Sequence, residues 1–186
     1  MAETSKAYQR RLAAGYFKKY ITGNVIDIGC GRIDAIDGCD PVTPTCTMHD
    51  KDICDAHTMN VYDDESFDCV HASHVLEHLE DPAMALKAWF QITKIGGHLV
   101  ITVPDRDSYE RQMHLPSRWN EDHKTMWIYS GMGNSWTFNL KLFVQQILRT
   151  GFEILEYHQH NTCTNMDNLQ EHGDGEYELE IVIKRK

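Results

Sequence analysis

Val25-Ile26-Asp27-Ile28-Gly29-Cys30-Gly31 is the stretch from which the architecture is built outward. Three branched apolar residues around one acid predict a short buried strand. It runs straight into two glycines one residue apart. Small residues at that point let a ligand approach the backbone at the carboxyl end of a sheet. The third glycine of the dinucleotide fingerprint and the lysine of a phosphate loop are both missing, so no pyrophosphate or triphosphate cradle is expected.

Upstream, Tyr8, Leu12, Tyr16, Phe17 and Tyr20 recur near every 3.6 residues and predict a helix over 5–21, stopped by Gly23. Arg10, Arg11, Lys18 and Lys19 read as its solvated face. Downstream, Ile36–Asp40 predicts a second strand ending at Pro41, and Cys46–His49 a weak third one. A carboxylate at the end of the strand beside the glycine turn can take both hydroxyls of a ribose, which points to Asp40. Phe67–Ala72 predicts another strand. Asp81-Pro82 supplies a cap and a first-turn proline for a helix ended by Gly96-Gly97. His98–Val103 is a strand closed by Pro104. Residues 105–137 are rich in Trp, Met, His and Gly without a clean period, an irregular insertion of the kind that often carries function. Leu140, Phe143, Val144, Ile147 and Leu148 mark a helix capped by Asn139 and ended by Gly151. Phe152–Tyr157 and Tyr177–Ile183 predict two last strands, joined by the polar stretch His158–Glu176 and expected to pair antiparallel at one edge. Strands alternating with helices argue for an α/β fold with a largely parallel sheet.

Composition narrows the function classes. The chain has 186 residues, 41% hydrophobic, which suits one domain with its own core. Eighteen basic against 28 acidic residues give a net charge of −10, which opposes a nucleic-acid footprint. No apolar run is long enough to span a membrane, and the first twenty residues lack the apolar core of a secretory signal. The six cysteines form no CxxC pair, so reduced thiols in a cytoplasm are expected rather than a disulfide framework.

The motifs VIDIGCG (25–31), CDP (39–41), FDCVHASHVLEHLEDP (67–82) and GGHLVITVPD (96–105) occur in order and at consistent spacing. In this combination the chain resembles class I S-adenosylmethionine-dependent methyltransferases of the broad type-11 group, over roughly residues 20–105. The resemblance implies a Rossmann-like, doubly wound, seven-stranded sheet, mostly parallel with an antiparallel edge strand, in one domain over 1–186. It implies S-adenosylmethionine as cofactor. Asp27, Gly29, Cys30 and Gly31 would line its methionine moiety and Asp40 its ribose. Asp52 and Ile53 would flank its adenine. Ala72, Ser73 and His74 would lie beneath the methionine end and the reactive methyl. Two departures stand out: only about four residues separate Gly31 from the second strand, and Ile95 replaces the usual proline before Gly96-Gly97.

The insertion would act as a lid on the acceptor side, excluding water from a charged sulfonium. Trp119-Asn120-Glu121-Asp122-His123-Lys124 offers His123 as a general base for a substrate hydroxyl, with Asp122 to orient it. Tyr109, Trp127, Tyr129 and Trp136 would form an apolar wall or pack the lid's own core. The expected reaction is methyl transfer to a small molecule, on oxygen or nitrogen, without nucleic acid or membrane, with room for a partner subunit. No metal ligand is expected. Two other classes fit less of the pattern. One is a silent module that binds the cofactor or its demethylated product. The other is a zinc hydrolase built on the H-x-x-E-H at 74–78, with His74 and His78 sharing one helical face, Glu77 activating water, and Glu153 or Glu156 as third ligand.

Overall fold

The computed structural model describes residues 3–31 and 41–186. In chain order the first half comprises α1 (Glu3–Ala13), α2 (Tyr16–Lys19), β1 (Val25–Ile28), β2 (Thr47–His49), β3 (Phe67–Ser73) and a 3-10 turn (Leu76–His78). The second half comprises α3 (Pro82–Ile92), β4 (Thr93–Pro104), a π-helical turn (Arg106–Glu110), β5 (Met126–Ile128), β6 (Thr137–Asn139), α4 (Leu140–Leu148), β7 (Phe152–Asn161) and β8 (Tyr177–Arg185). The main sheet runs β2-β1-β3-β4-β8-β7. β2, β1, β3 and β4 are mutually parallel, and β8 is antiparallel to both β4 and β7.

The fold class is therefore the expected one, with a correction to the strand count. Among the described residues the main sheet has six strands rather than seven. The expected strand over Ile36–Asp40 lies outside the described residues. The strand beside β1 is instead β2, the segment that the sequence marks as weak, with Ile28 opposite His49.

Alternation along the strands splits the core in two. Ile26, Ile28, Val70, Ala72, Leu99 and Ile101 pack against Leu86 and Trp89 of α3 and Leu140, Phe143 and Val144 of α4. Val25, Cys69, Val100 and Val182 face the other way, against Tyr16 and Ile21. Full burial of each such side chain stabilises by about 1.5–3 kcal/mol. A sheet covered on both faces needs near-continuous apolar runs, which is why β1, β3 and β4 carry little polar alternation.

Local chemistry places the helix ends. Asp81 accepts from the Met84 amide at 2.9 Å and Pro82 opens α3. That helix stops at Ile92 rather than at Gly96-Gly97. Thr93 turns extended, its hydroxyl donating to the Trp89 carbonyl at 2.8 Å. Lys94–Gly97 is then absorbed as an irregularity where the β3–β4 register jumps from Phe67–Thr93 to Cys69–His98. Asn139 caps α4 through the Leu142 amide at 3.1 Å.

The expected helix over 5–21 divides into α1 and α2 at Gly15, which has φ 73°. Its polarity is also inverted. Arg11 is 0% exposed, whereas Leu12 is 51% exposed. The reason lies on β8, whose Glu178 and Glu180 point into the α1 face of the sheet. Arg11 Nε donates to Glu180 Oε2 at 2.8 Å, and Arg10 donates to Glu176, Glu178 and Glu180 at 2.8, 2.5 and 2.9 Å. The guanidinium groups of α1 are thus turned inward by partners about 170 residues away.

The segment 105–137 is only partly irregular. β5 and β6 pair parallel, and Trp127 is fully buried against Phe143 with ring centroids 5.1 Å apart. Trp127 thus belongs to the core.

Candidate functional site

The cleft opens at the carboxyl ends of β1, β2 and β3, where a parallel sheet takes its ligands. Its volume is about 630 Å³, within the usual range for a small-molecule site. Ile28 and Gly29 form its floor; His49, Asp50, Lys51 and Asp55 form the β2 side. His74, Val75, His78 and Leu79 form the β3 side, and Asp122 and Lys124 reach in from the insertion.

The floor depends on one glycine. Gly29 has φ 75°, and a Cβ there would lie 2.3 Å from Val75 Cγ2. Its amide donates to the His49 carbonyl at 2.7 Å, locking the β1 turn to the end of β2. Gly31 follows at φ 81°. Cys30 is half-buried between them, its thiol 3.5 Å from the Gly31 carbonyl.

Asp27 does not face the cleft. It is buried on the α1 side, where Oδ2 accepts from the Val42 amide at 2.6 Å and Oδ1 from His71 Nδ1 at 2.5 Å. The second nitrogen of His71 meets Arg11 Nη1 at 3.2 Å. Arginine can only donate, so His71 accepts at Nε2 and donates at Nδ1. The glycine turn is therefore braced from below by a buried chain running Asp27–His71–Arg11–Glu180.

The remaining expected residues separate into groups. His74 lines the cleft at the end of β3 with φ 55°, and its Nε2 lies 3.4 Å from Glu178 Oε2. Ser73 accepts from the Thr102 hydroxyl at 2.8 Å, and Ala72 is buried in the α3–α4 core. Asp52 and Ile53 are exposed in the turn after β2, with the Ile53 amide on the Asp50 carbonyl at 2.9 Å. Asp40 lies outside the described residues. Asp122 stands in the cleft wall, whereas His123 is 5% exposed behind it. His123 Nδ1 is 2.8 Å from Glu110 Oε1, and its ring stacks on Tyr109 at 5.5 Å.

One cleft acid at a strand end, Asp50, was not singled out from the sequence. Asp50 follows β2 directly, so it stands at the carboxyl end of a strand beside β1, the kind of position from which the sequence argument chose Asp40. The same strand-end signal, applied to Cys46–His49, finds it. His78 is half-buried in the wall, its ring 4.7 Å from that of His123, and burial lowers its pKa. Burial likewise lowers His49, whose Nδ1 lies 3.1 Å from the Tyr62 hydroxyl.

The helical zinc arrangement is absent. Residues 74–78 span a strand end and a single 3-10 turn, so His74 and His78 do not share a helical face. Glu153 pairs with Lys186, and Glu156 accepts from the Tyr20 hydroxyl at 2.7 Å, on a strand at the far edge of the sheet.

Comparison with known sequences matches residues 4–157 to the family described as "Methyltransferase domain". The chain belongs to this methyltransferase family. The cofactor of the methyltransferase domain is S-adenosylmethionine, as the sequence motifs imply. Solved structures similar in fold include an S-adenosylmethionine-dependent methyltransferase from Archaeoglobus fulgidus, with TM-score 0.57, 19% identity, and 98% of this chain and 94% of that one covered. Another, from Mesorhizobium loti, has TM-score 0.55, 15% identity, and 98% and 100% covered. Among curated proteins, an uncharacterized 37.1 kDa protein in transposon TN4556 of Streptomyces fradiae is 43% identical over 54 residues. That match covers 29% of this chain, and the chain spans only 15% of that relative's length. Among the described residues, no helix of this methyltransferase domain is long and apolar enough to cross a membrane.

Proposed function

We propose that the protein transfers a methyl group from S-adenosylmethionine to a small molecule in the cytoplasm, on oxygen or nitrogen. The observation that carries this is the cleft itself: a glycine turn that tolerates no side chain, an acid at the end of the neighbouring strand, and a polar wall opposite. Its size and donor set suit the cofactor. Gly29 and Ile28 would lie against the methionine end, and Asp50 would accept from the ribose hydroxyls. Bound there, the cofactor supplies a methyl carried on a sulfonium, which is already electrophilic. The chain's own work is then mostly alignment and water exclusion.

His78, Asp122 and Lys124 would border the acceptor, with residues 105–137 as a lid on that side. His123, held through Nδ1 by Glu110, would present Nε2 toward His78 as the proton acceptor for a hydroxyl, with Asp122 nearer the cleft. Asp27 would act from below, holding the turn rather than touching the cofactor.

Titration of the protein with S-adenosylmethionine and S-adenosylhomocysteine, followed by an acceptor screen, tests this. Micromolar binding and methylated product are expected. Binding without turnover across a broad screen would favour a silent cofactor-binding module, and no binding would remove the assignment. Asp50→Ala should weaken S-adenosylhomocysteine binding by about 1–3 kcal/mol through loss of charge-assisted hydrogen bonds. Full affinity in Asp50→Ala with loss in Asp40→Ala would return the ribose to Asp40.

A further inference from the structure

We propose that Glu77, His78 and His123 bind one divalent cation of the Zn²⁺ or Mn²⁺ class on the acceptor side of the cleft. One ligand atom from each residue can be chosen so that all three lie within 4.8 Å of one another. A Zn²⁺ with ligands about 2.0–2.2 Å away spaces them roughly 3.3 Å apart. Small side-chain rotations therefore close the set.

The state of Glu77 argues for a ligand. Its carboxylate is fully buried, and among the described residues neither oxygen accepts a hydrogen bond. Among the described residues the nearest ionisable side-chain nitrogens, His74 Nδ1 at 3.6 Å and His78 Nε2 at 3.8 Å, lie beyond hydrogen-bonding range. A buried carboxylate in that condition is costly unless something cationic occupies the space before it. The backbone is fixed by contrast: the Glu77 carbonyl accepts from the Lys124 and Thr125 amides at 2.7 and 3.2 Å. Those two bonds bring the 3-10 turn and the insertion together, which places His123 beside Glu77.

His123 is prepared as a ligand. Glu110 Oε1 holds its Nδ1, and Glu110 Oε2 is itself held by the Ser117 hydroxyl at 2.7 Å and the Arg118 amide at 3.1 Å. A fully bonded carboxylate behind an imidazole fixes the ring and leaves Nε2 as the lone-pair atom, the usual outer support of a metal-bound histidine. Two imidazoles and one carboxylate suit Zn²⁺ or Mn²⁺ better than Ca²⁺. Glu77 and His123 close the site on the protein side, while His78, with a side chain 32% exposed, opens it to the cleft. Three protein ligands and one open position are the arrangement of a catalytic rather than a structural metal. Resting on the methyltransferase assignment, the open position would take an acceptor hydroxyl and lower its pKa, which narrows the acceptor to an oxygen nucleophile. With the cation bound, His123 Nε2 is a ligand and no longer the proton acceptor, and the hydroxyl proton passes to Asp122 in the cleft wall or to solvent.

The test uses chelator-treated protein titrated with Zn²⁺ by calorimetry and with Co²⁺ by visible absorption, without cofactor. One equivalent and a Co²⁺ ligand-field band are expected. Glu77→Gln should abolish the band, Glu110→Gln should weaken binding about 10–100-fold, and His158→Ala should change neither. Both carboxamide variants should keep S-adenosylhomocysteine affinity, which shows that they fold. No stoichiometric binding, or binding that survives Glu77→Gln, overturns the site. Cation binding without S-adenosylhomocysteine binding would keep the site and overturn the methyltransferase assignment. S-adenosylhomocysteine binding without the cation would do the reverse.

Discussion

Arg11→Met is expected to cost about 3–5 kcal/mol of folding stability, the usual loss when one partner of a buried ion pair is removed. Arg11 and Glu180 are both fully buried, and the guanidinium also meets His71, the partner of Asp27. Removing it strands a carboxylate inside the protein and loosens the brace beneath the glycine turn. Urea unfolding measures the first effect; S-adenosylhomocysteine affinity measures the second. The double variant Arg11→Met, Glu180→Gln should recover part of the stability, because no charge is then left unpaired. A single variant within 1 kcal/mol of the parent would show that Arg10, which also reaches Glu180, carries the load alone.

The same pair sets an acid limit. Burial by itself would raise the Glu180 pKa, but His160, Arg11 and Arg10 around it hold it far below the ordinary value of 4.5. A depressed carboxylate contributes stability that is present above its unfolded pKa and lost as pH falls toward its folded one. Stability should therefore decline as pH drops below about 4.5, and more shallowly in Arg11→Met. A decline equally steep in the variant would place the acid sensitivity elsewhere.

Gly29→Ala is expected to remove most cofactor binding and to cost about 2–5 kcal/mol. About 1–2 kcal/mol comes from a left-handed backbone imposed on an L-residue. A further 1–3 kcal/mol comes from overpacking. The added methyl would meet Val75 Cγ2 at 2.3 Å. Val75 is β-branched and stiff, so the clash moves the backbone of the turn rather than one rotamer. Because Gly29 and Val75 both line the cleft, the displacement falls where the cofactor would lie. At least a tenfold weaker S-adenosylhomocysteine affinity by calorimetry is expected. Unchanged affinity would mean that the cofactor does not rest on this turn.

The parallel strands were legible because a sheet buried on both faces leaves short apolar runs that nothing else explains. The caps at Asp81 and Asn139 were legible because capping is chemistry between neighbours three residues apart. The α1 face was not. A helical wheel assigns arginines to water and leucine to the core, and only the glutamates of β8 reverse that assignment. Asp50 was hidden for a similar reason: which of two short segments lies beside β1 depends on hydrogen bonding between strands, to which the periodicity of either segment is blind. The H-x-x-E-H string suggested that His74 and His78 share one helical face, whereas the structure sets His123 beside Glu77 and His78. Residues 74–78 do not form an α-helix, and His123 arrives through two backbone bonds from the insertion.

From its own residues and the family they resemble, the chain determined its α/β class, its glycine turn and its cofactor, since these depend on local conformation and on an ordered set of short motifs. Tertiary structure alone decided which acids and histidines share a space. Asp27 went beneath the turn, Asp50 into the cleft, and Glu77 beside His78 and His123. The physical reason is that a charged side chain goes where its partners are: His71 lies 44 residues from Asp27, His123 lies 46 from Glu77, and Glu180 lies 169 from Arg11.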